Sequence, residues 1–124
     1  MSAEKSGACG GGPKLIFACS GAADVGEIAD RAARKMTENG RGRMFCLAGI
    51  GGRVPGIISK TQAASGILAI DGCELDCVKN CLEQAGFHQF DHLRVTDLGL
   101  QKGQAPANQE NIATVAERGS AILA

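Results

Sequence analysis

The chain has no tryptophan and no tyrosine, and Phe17, Phe45, Phe87 and Phe90 are its four phenylalanines. Its 13 basic side chains are cancelled by 13 acidic ones. Without a basic block or a row of aromatic platforms, it lacks what phosphate-backbone binding and base stacking require, so nucleic acid is not an expected partner. No apolar run approaches the ~20 residues of a membrane-spanning helix. Residues 1–13 contain no hydrophobic segment of signal-peptide type, so a cytoplasmic location is expected. The glycine-rich stretch from Gly49 to Gly56 lacks the Gly-Lys-Ser/Thr ending of a phosphate-binding loop. Val25, not arginine, stands six residues after Cys19, which removes the oxyanion clamp of a small thiol phosphatase or arsenate reductase. Cys73, Cys77 and Cys81 are evenly spaced by four, unlike the uneven cysteine run of a radical enzyme's cluster.

What the chain has instead is sulfur and glycine: six cysteines and 18 glycines in 124 residues. A chain of this length forms one domain with a substantial core. In a reducing compartment six cysteines point to metal binding or redox chemistry, not to a disulfide framework. Residues 1–13, with Gly7, Gly10, Gly11, Gly12 and Pro13, read as a flexible tail in which Cys9 is an incidental thiol. Residues 14–124 are the domain.

Apolar runs place strands at Lys14–Cys19, Arg43–Ala48, Ile67–Ile70 and His92–Thr96. Between them lie helices. After the first strand, Val25, Ile28, Ala29, Ala32, Ala33 and Met36 form one apolar face, Asp24 and Glu27 have capping-box spacing, and Asn39-Gly40 is a stop. A short helix is expected over residues 56–64, another over Glu74–Ala85, and a last one over Asn108–Leu123. Strand followed by helix, four times over, predicts an α/β fold. The expected form is a single-domain, doubly wound, Rossmann-like sheet of about four parallel strands with helices on both faces and strand order 2-1-3-4.

In that order, Cys19, Cys46 and Cys73 fall at the C-terminal ends of neighbouring strands ~4.8 Å apart, at the edge where such sheets bind ligands. Thiolates around zinc, each ~2.3 Å from the ion, lie about 3.8 Å from one another. Cys77 leans back from the following helix as a fourth ligand, because helical side chains point toward the helix start. Cys81 falls near the apolar stripe of Leu75, Val78, Leu82 and Ala85 and is expected to be a buried, inert thiol, with a resolving or exchange cysteine beneath the site as the alternative. Asp71 and Asp97 read as a helix cap and an exit-turn residue, with a supporting role at the site as the alternative. Gly49, Gly51 and Gly52 let backbone N–H groups approach the sulfurs. His88 and His92 are expected on the surface, away from the cysteine edge.

Cys19-Ser-Gly-Ala, Cys46-Leu-Ala-Gly-Ile-Gly-Gly, Ile70-Asp-Gly-Cys73 with Cys77, and Thr96-Asp-Leu-Gly resemble, in this order, the DGC-domain family, named for its Asp-Gly-Cys motif. The resemblance spans about residues 14–103. It implies a zinc-binding domain whose four chelating cysteines would be Cys19, Cys46, Cys73 and Cys77, with Cys9 and Cys81 outside the set.

Two classes of function follow. In the first, a metal-binding module holds Zn²⁺ in a closed four-cysteine site for sensing, storage or delivery, with the same sulfurs suited to an iron–sulfur cluster as the alternative. A site closed by four thiolates has no open position for hydrolysis, so enzyme activity is disfavoured. In the second, Cys73 or Cys77 is the nucleophile of a redox or sulfur-transfer enzyme. The expected partner is a metal ion; nothing in the sequence selects a homodimer or a particular protein partner.

Overall fold

The computed structural model describes residues 12–124. Its elements, in order, are β1 (Lys14–Ala18), α1 (Asp24–Glu38), β2 (Arg43–Met44), α2 (Leu47–Gly51), α3 (Pro55–Gln62), β3 (Gly66–Asp71), α4 (Cys77–Gln84), β4 (Asp91–Arg94), a 3-10 turn (Val95–Leu98) and α5 (Gln109–Leu123). The strands form one sheet in the order β2-β1-β3-β4, every pairing parallel. This is the expected α/β class and strand order. Residues 1–11, which include Cys9 and most of the expected tail, lie outside the described residues. The carbonyl of Pro13 accepts a hydrogen bond from Ser65.

The sheet is buried on both faces because its strands are apolar at successive positions, not alternate ones. Ile16 and Ala18 of β1 and Leu68 and Ile70 of β3 face one way, into a core completed by α1 and α5. Leu15 and Phe17, with Ile67 and Ala69, face the other way, against Ile50 of α2 and Val78 and Leu82 of α4. In α1 the residues expected on the apolar face, Val25, Ile28, Ala29, Ala32, Ala33 and Met36, are all buried. The helix ends at Asn39. Gly40 then takes a left-handed φ of 72°, and the N–H of Arg41 returns to the Met36 carbonyl, a C-terminal closure that suits glycine.

Four local readings change. The capping box does not form: Ala23 is the N-cap of α1, and the Asp24 carboxylate instead accepts from the N–H groups of Val25, Gly103 and Ala105. It ties the exit loop to α1, and its pKa is lowered, first by the Gly103 and then by the Ala105 hydrogen bond. The second strand is two residues long, because Cys46 is the N-cap of α2 and the glycine-rich segment begins as a helix. The fourth strand ends at Arg94, and Thr96 and Asp97 lie in the 3-10 turn. The helix expected from Glu74 starts at Cys77. Cys73–Asp76 forms a turn closed by the Asp76 N–H on the Cys73 carbonyl, with Asp76 itself at a left-handed φ of 54°. Leu75 is accordingly 63% exposed and not part of the core stripe. Among the described residues, no helix is long and apolar enough to cross a membrane.

Candidate functional site

The Asp-Gly-Cys segment is built residue by residue at the end of β3. Asp71 is almost wholly buried, at 1% exposure. The N–H of Val78 donates to its Oδ1 at 2.7 Å and that of Lys79 to its Oδ2 at 3.2 Å. These are among the free N–H groups of the first turn of α4, so Asp71 caps the helix from seven residues upstream and sets its start. His92 Nε2 lies 2.8 Å from the same Oδ2. The imidazole therefore reaches the cysteine edge from β4, contrary to the expectation that both histidines lie away from it. The spacing of His92 along the strand does not reveal this; pairing of Ala69 with His92 does. His88 does lie elsewhere, in a hollow beside Gly66 and Ile67 at the opposite edge of the sheet.

Gly72 sits where the first turn of α1 presses on β3. A Cβ there would come 2.9 Å from the Val25 carbonyl carbon and 3.0 Å from the Gly26 nitrogen, closer than atoms pack. Glycine in the motif is thus a close-approach residue. Cys73 follows on the turn, half-buried, with the Lys102 ammonium 3.6 Å from its Sγ.

Two cavities flank the thiols. The larger, an open groove of ≈ 840 Å³, is lined by Cys19, Cys46, Cys77 and Cys81, with Phe45 and Gly51 among its walls. The smaller, ≈ 230 Å³ and mostly apolar, is lined by Cys19, Cys73 and Cys77 together with Val25, Leu75 and Lys102. Cys19 and Cys77 thus belong to both, and five cysteines meet at the C-terminal edge of the sheet. Cys46 and Cys77 are exposed; Cys19, Cys73 and Cys81 are half-buried. Cys81 is therefore not the buried thiol expected. Val78 and Leu82 form the buried row of α4, and Cys77 and Cys81, also four apart, form the neighbouring row that faces the groove.

The backbone N–H of Gly49 donates to Cys46 Sγ at 3.3 Å. Gly51 lines the groove, while the N–H of Gly52 donates to the Ala48 carbonyl and that of Arg53 to the Ile50 carbonyl, closing α2. Asp97 is 63% exposed and sits 3.4 Å from Arg94, lining neither thiol cavity. Asp76, which the sequence did not single out, holds Arg94 through paired contacts of 2.9 and 2.7 Å. At the rim of the groove Asp30 accepts from Ser20 and Arg34.

The electrostatics do not make a strong thiolate of Cys77, even though it opens α4. Burial pushes its thiol up, and the charges of Asp71, Cys19 and Cys73 push it further, with Lys102 opposing. Asp71 already takes the first-turn N–H groups that would otherwise stabilise a thiolate. Burial likewise pushes the Cys81 thiol up, against the opposing charge of Arg53.

The donor types fit a thiophilic ion: five cysteines line the two cavities, and soft thiolates select zinc, copper(I) or iron–sulfur clusters. Among the described residues, however, no three thiols have all their sulfurs within 4.8 Å of one another. The single histidine, cysteine or carboxylate trio that does is Asp71, Asp76 and His92. That trio is a hydrogen-bonded frame, its carboxylates taken up by α4 and Arg94.

A parallel sheet with a cysteine-lined C-terminal edge defines a small α/β domain of thiol-rich type. Residues 15–118 match the DGC domain, a span that runs from β1 into α5 and takes in all five of these cysteines. The chain belongs to the DGC-domain family. Over 88 residues it is 38% identical to the anaerobic and virulence modulator AnvM of Pseudomonas aeruginosa, covering 71% of this chain and 67% of that protein. No solved structure matches it.

Proposed function

We propose that this protein binds a thiophilic metal ion, zinc in the first instance, through Cys19, Cys46, Cys73 and Cys77, and uses it for sensing, storage or delivery. The observation that carries this reading is that Cys19 and Cys77 line both cavities, the groove that holds Cys46 and the smaller one that holds Cys73. An ion at that common wall would have Cys19 and Cys77 beside it, Cys46 on the groove side and Cys73 on the other, and binding would draw the sulfurs together to the ~3.8 Å spacing of a tetrathiolate centre. Such an ion would supply cross-linking and a stored charge, not an open coordination position. Asp71 would hold the start of α4, and with it Cys77, in place. Reduced thiols of this kind suit the cytoplasm. The name of the Pseudomonas relative, a modulator, is in keeping with a regulatory use.

The test is metal content by mass spectrometry after anaerobic purification, with free thiols counted before and after a chelator. About one zinc per chain, with four thiols protected until chelation, is the expected result; single Cys19→Ser, Cys46→Ser and Cys77→Ser variants should each lose protection. Iron with acid-labile sulfide would replace zinc by a cluster. A second reading has its own observation: the Lys102 ammonium beside Cys73 suits a nucleophilic thiol in a sulfur-transfer or redox enzyme. A metal-free native protein in which Cys73 alone alkylates rapidly would establish that reading instead.

A further inference from the structure

We propose that Cys81 is a fifth thiol ligand of this centre, able to take the position that Cys73 holds, so that two four-thiolate settings share Cys19, Cys46 and Cys77. The inference rests on the metal-binding reading above and adds to it a route by which an ion is passed on.

The two cavities meet at Cys19 and Cys77, but Cys73 lines only the smaller and Cys81 only the larger. Cys81 stands one turn beyond Cys77 on the same face of α4, four residues and ~6 Å along the axis. Its Sγ lies 3.9 Å from the carbonyl oxygen of Leu47, the residue that follows Cys46. The one hydrogen bond open to it there is a weak thiol contact at the limit of distance, so little holds it back from a stronger partner. Gly51 leaves room beside it: a Cβ at that position would stand 3.6 Å from the Cys81 sulfur. Cys73, by contrast, has the Lys102 side chain at 3.6 Å, a polar partner waiting for its sulfur once it leaves the metal.

Packing is the competing account of Cys81, which does touch the core formed by Phe17, Val78 and Leu82. That core is complete without it, since Val78 and Leu82 are the fully buried residues of α4. Cys81 faces the groove with Cys46. The exchange balances without an oxidant: Cys81 gives up its proton and forms a sulfur–metal bond, the Cys73–metal bond breaks, and Cys73 takes the proton. Four thiolates remain in either setting, and no electron moves.

The experiment is an anaerobic cobalt(II) titration of the full-length protein in a Cys9→Ser background, with the visible spectrum reporting the number of sulfur ligands. Cys73→Ser and Cys81→Ser should each keep a four-sulfur spectrum, with affinity within about tenfold of the parent. The double variant should drop to a three-sulfur spectrum and lose at least ~100-fold in affinity, more than the single effects combined. Cys81→Ala, checked with Cys81→Ser by circular dichroism, separates a ligand effect from a folding one. Loss of the four-sulfur spectrum in either single variant overturns the proposal, as does its survival in the double. A parent protein that binds neither cobalt nor zinc overturns the metal-binding reading itself, which the variants then no longer concern.

Discussion

Asp71 and Asp76 show how a few side chains hold the thiol edge together. Asp71 caps α4 and meets His92, while Asp76, strained into a left-handed backbone conformation, is anchored by Arg94. Cys77, the first residue of α4, therefore hangs between two fixed carboxylates. The Arg94 hydrogen bonds hold the Asp76 carboxyl below its ordinary value, against an opposing contribution from burial. The folded chain thus binds fewer protons here than the unfolded chain. The resulting stabilisation is fully present above the unfolded carboxylate value, about 3.9, and is lost as pH falls through the depressed folded one. In urea melts at about pH 6 and about pH 3, the midpoint of the parent should fall further than that of Arg94→Gln. Parallel losses would show that the pair adds no acid sensitivity.

At the scale of elements, the contact that matters most to the site is α1 against β3 at Gly72. Backbone atoms, not flexible side-chain ends, stand where a Cβ would go, so Gly72→Ala must move the first turn of α1 or the end of β3. Forcing atoms into such a contact costs about 1–3 kcal/mol. Gly72→Ala should lower the thermal midpoint by several degrees and change the rate at which Cys73 reacts with a thiol reagent. An unchanged midpoint together with an unchanged rate would mean that the contact is slack. Helix α2 is a second case. Arg43–Ala48 reads as a strand from its apolar run, yet only Arg43 and Met44 pair with β1. Capping by the Cys46 sulfur, which accepts from Gly49, turns the chain into a helix before the strand can continue.

At the scale of the whole molecule, the thiols come from β1, β2 and β3 exits and from α4, so any ion they hold cross-links segments far apart in the chain. An ion bound only by the folded protein at a free concentration 100 times its Kd adds about 2.7 kcal/mol of stability. If the proposed centre exists, a strong chelator should lower the thermal midpoint by roughly ten degrees, and re-addition of zinc should restore it. A midpoint indifferent to both would count against the metal centre while leaving the fold untouched.

Much of this arrangement was legible in the order of residues. Unbroken apolar runs at Leu15–Ala18 and Ile67–Ile70 can only be buried on both faces, and the helical spacing from Val25 to Met36 dictates what covers one of them. A parallel doubly wound sheet follows, and with it a C-terminal edge carrying Cys19, Cys46 and Cys73. Side-chain direction and capping were decided only by tertiary structure. Asp71 reaches forward to Val78 and Lys79, so α4 begins at Cys77 and Leu75 leaves the core; His92 turns toward Asp71 because its strand pairs beside Ala69; and Cys81 faces a groove that exists only once α2 has folded against α4. Periodicity records which residues avoid water within one element. Which neighbour supplies a hydrogen bond, and which wall of a cavity a sulfur joins, depends on elements distant in sequence that meet only in the folded chain.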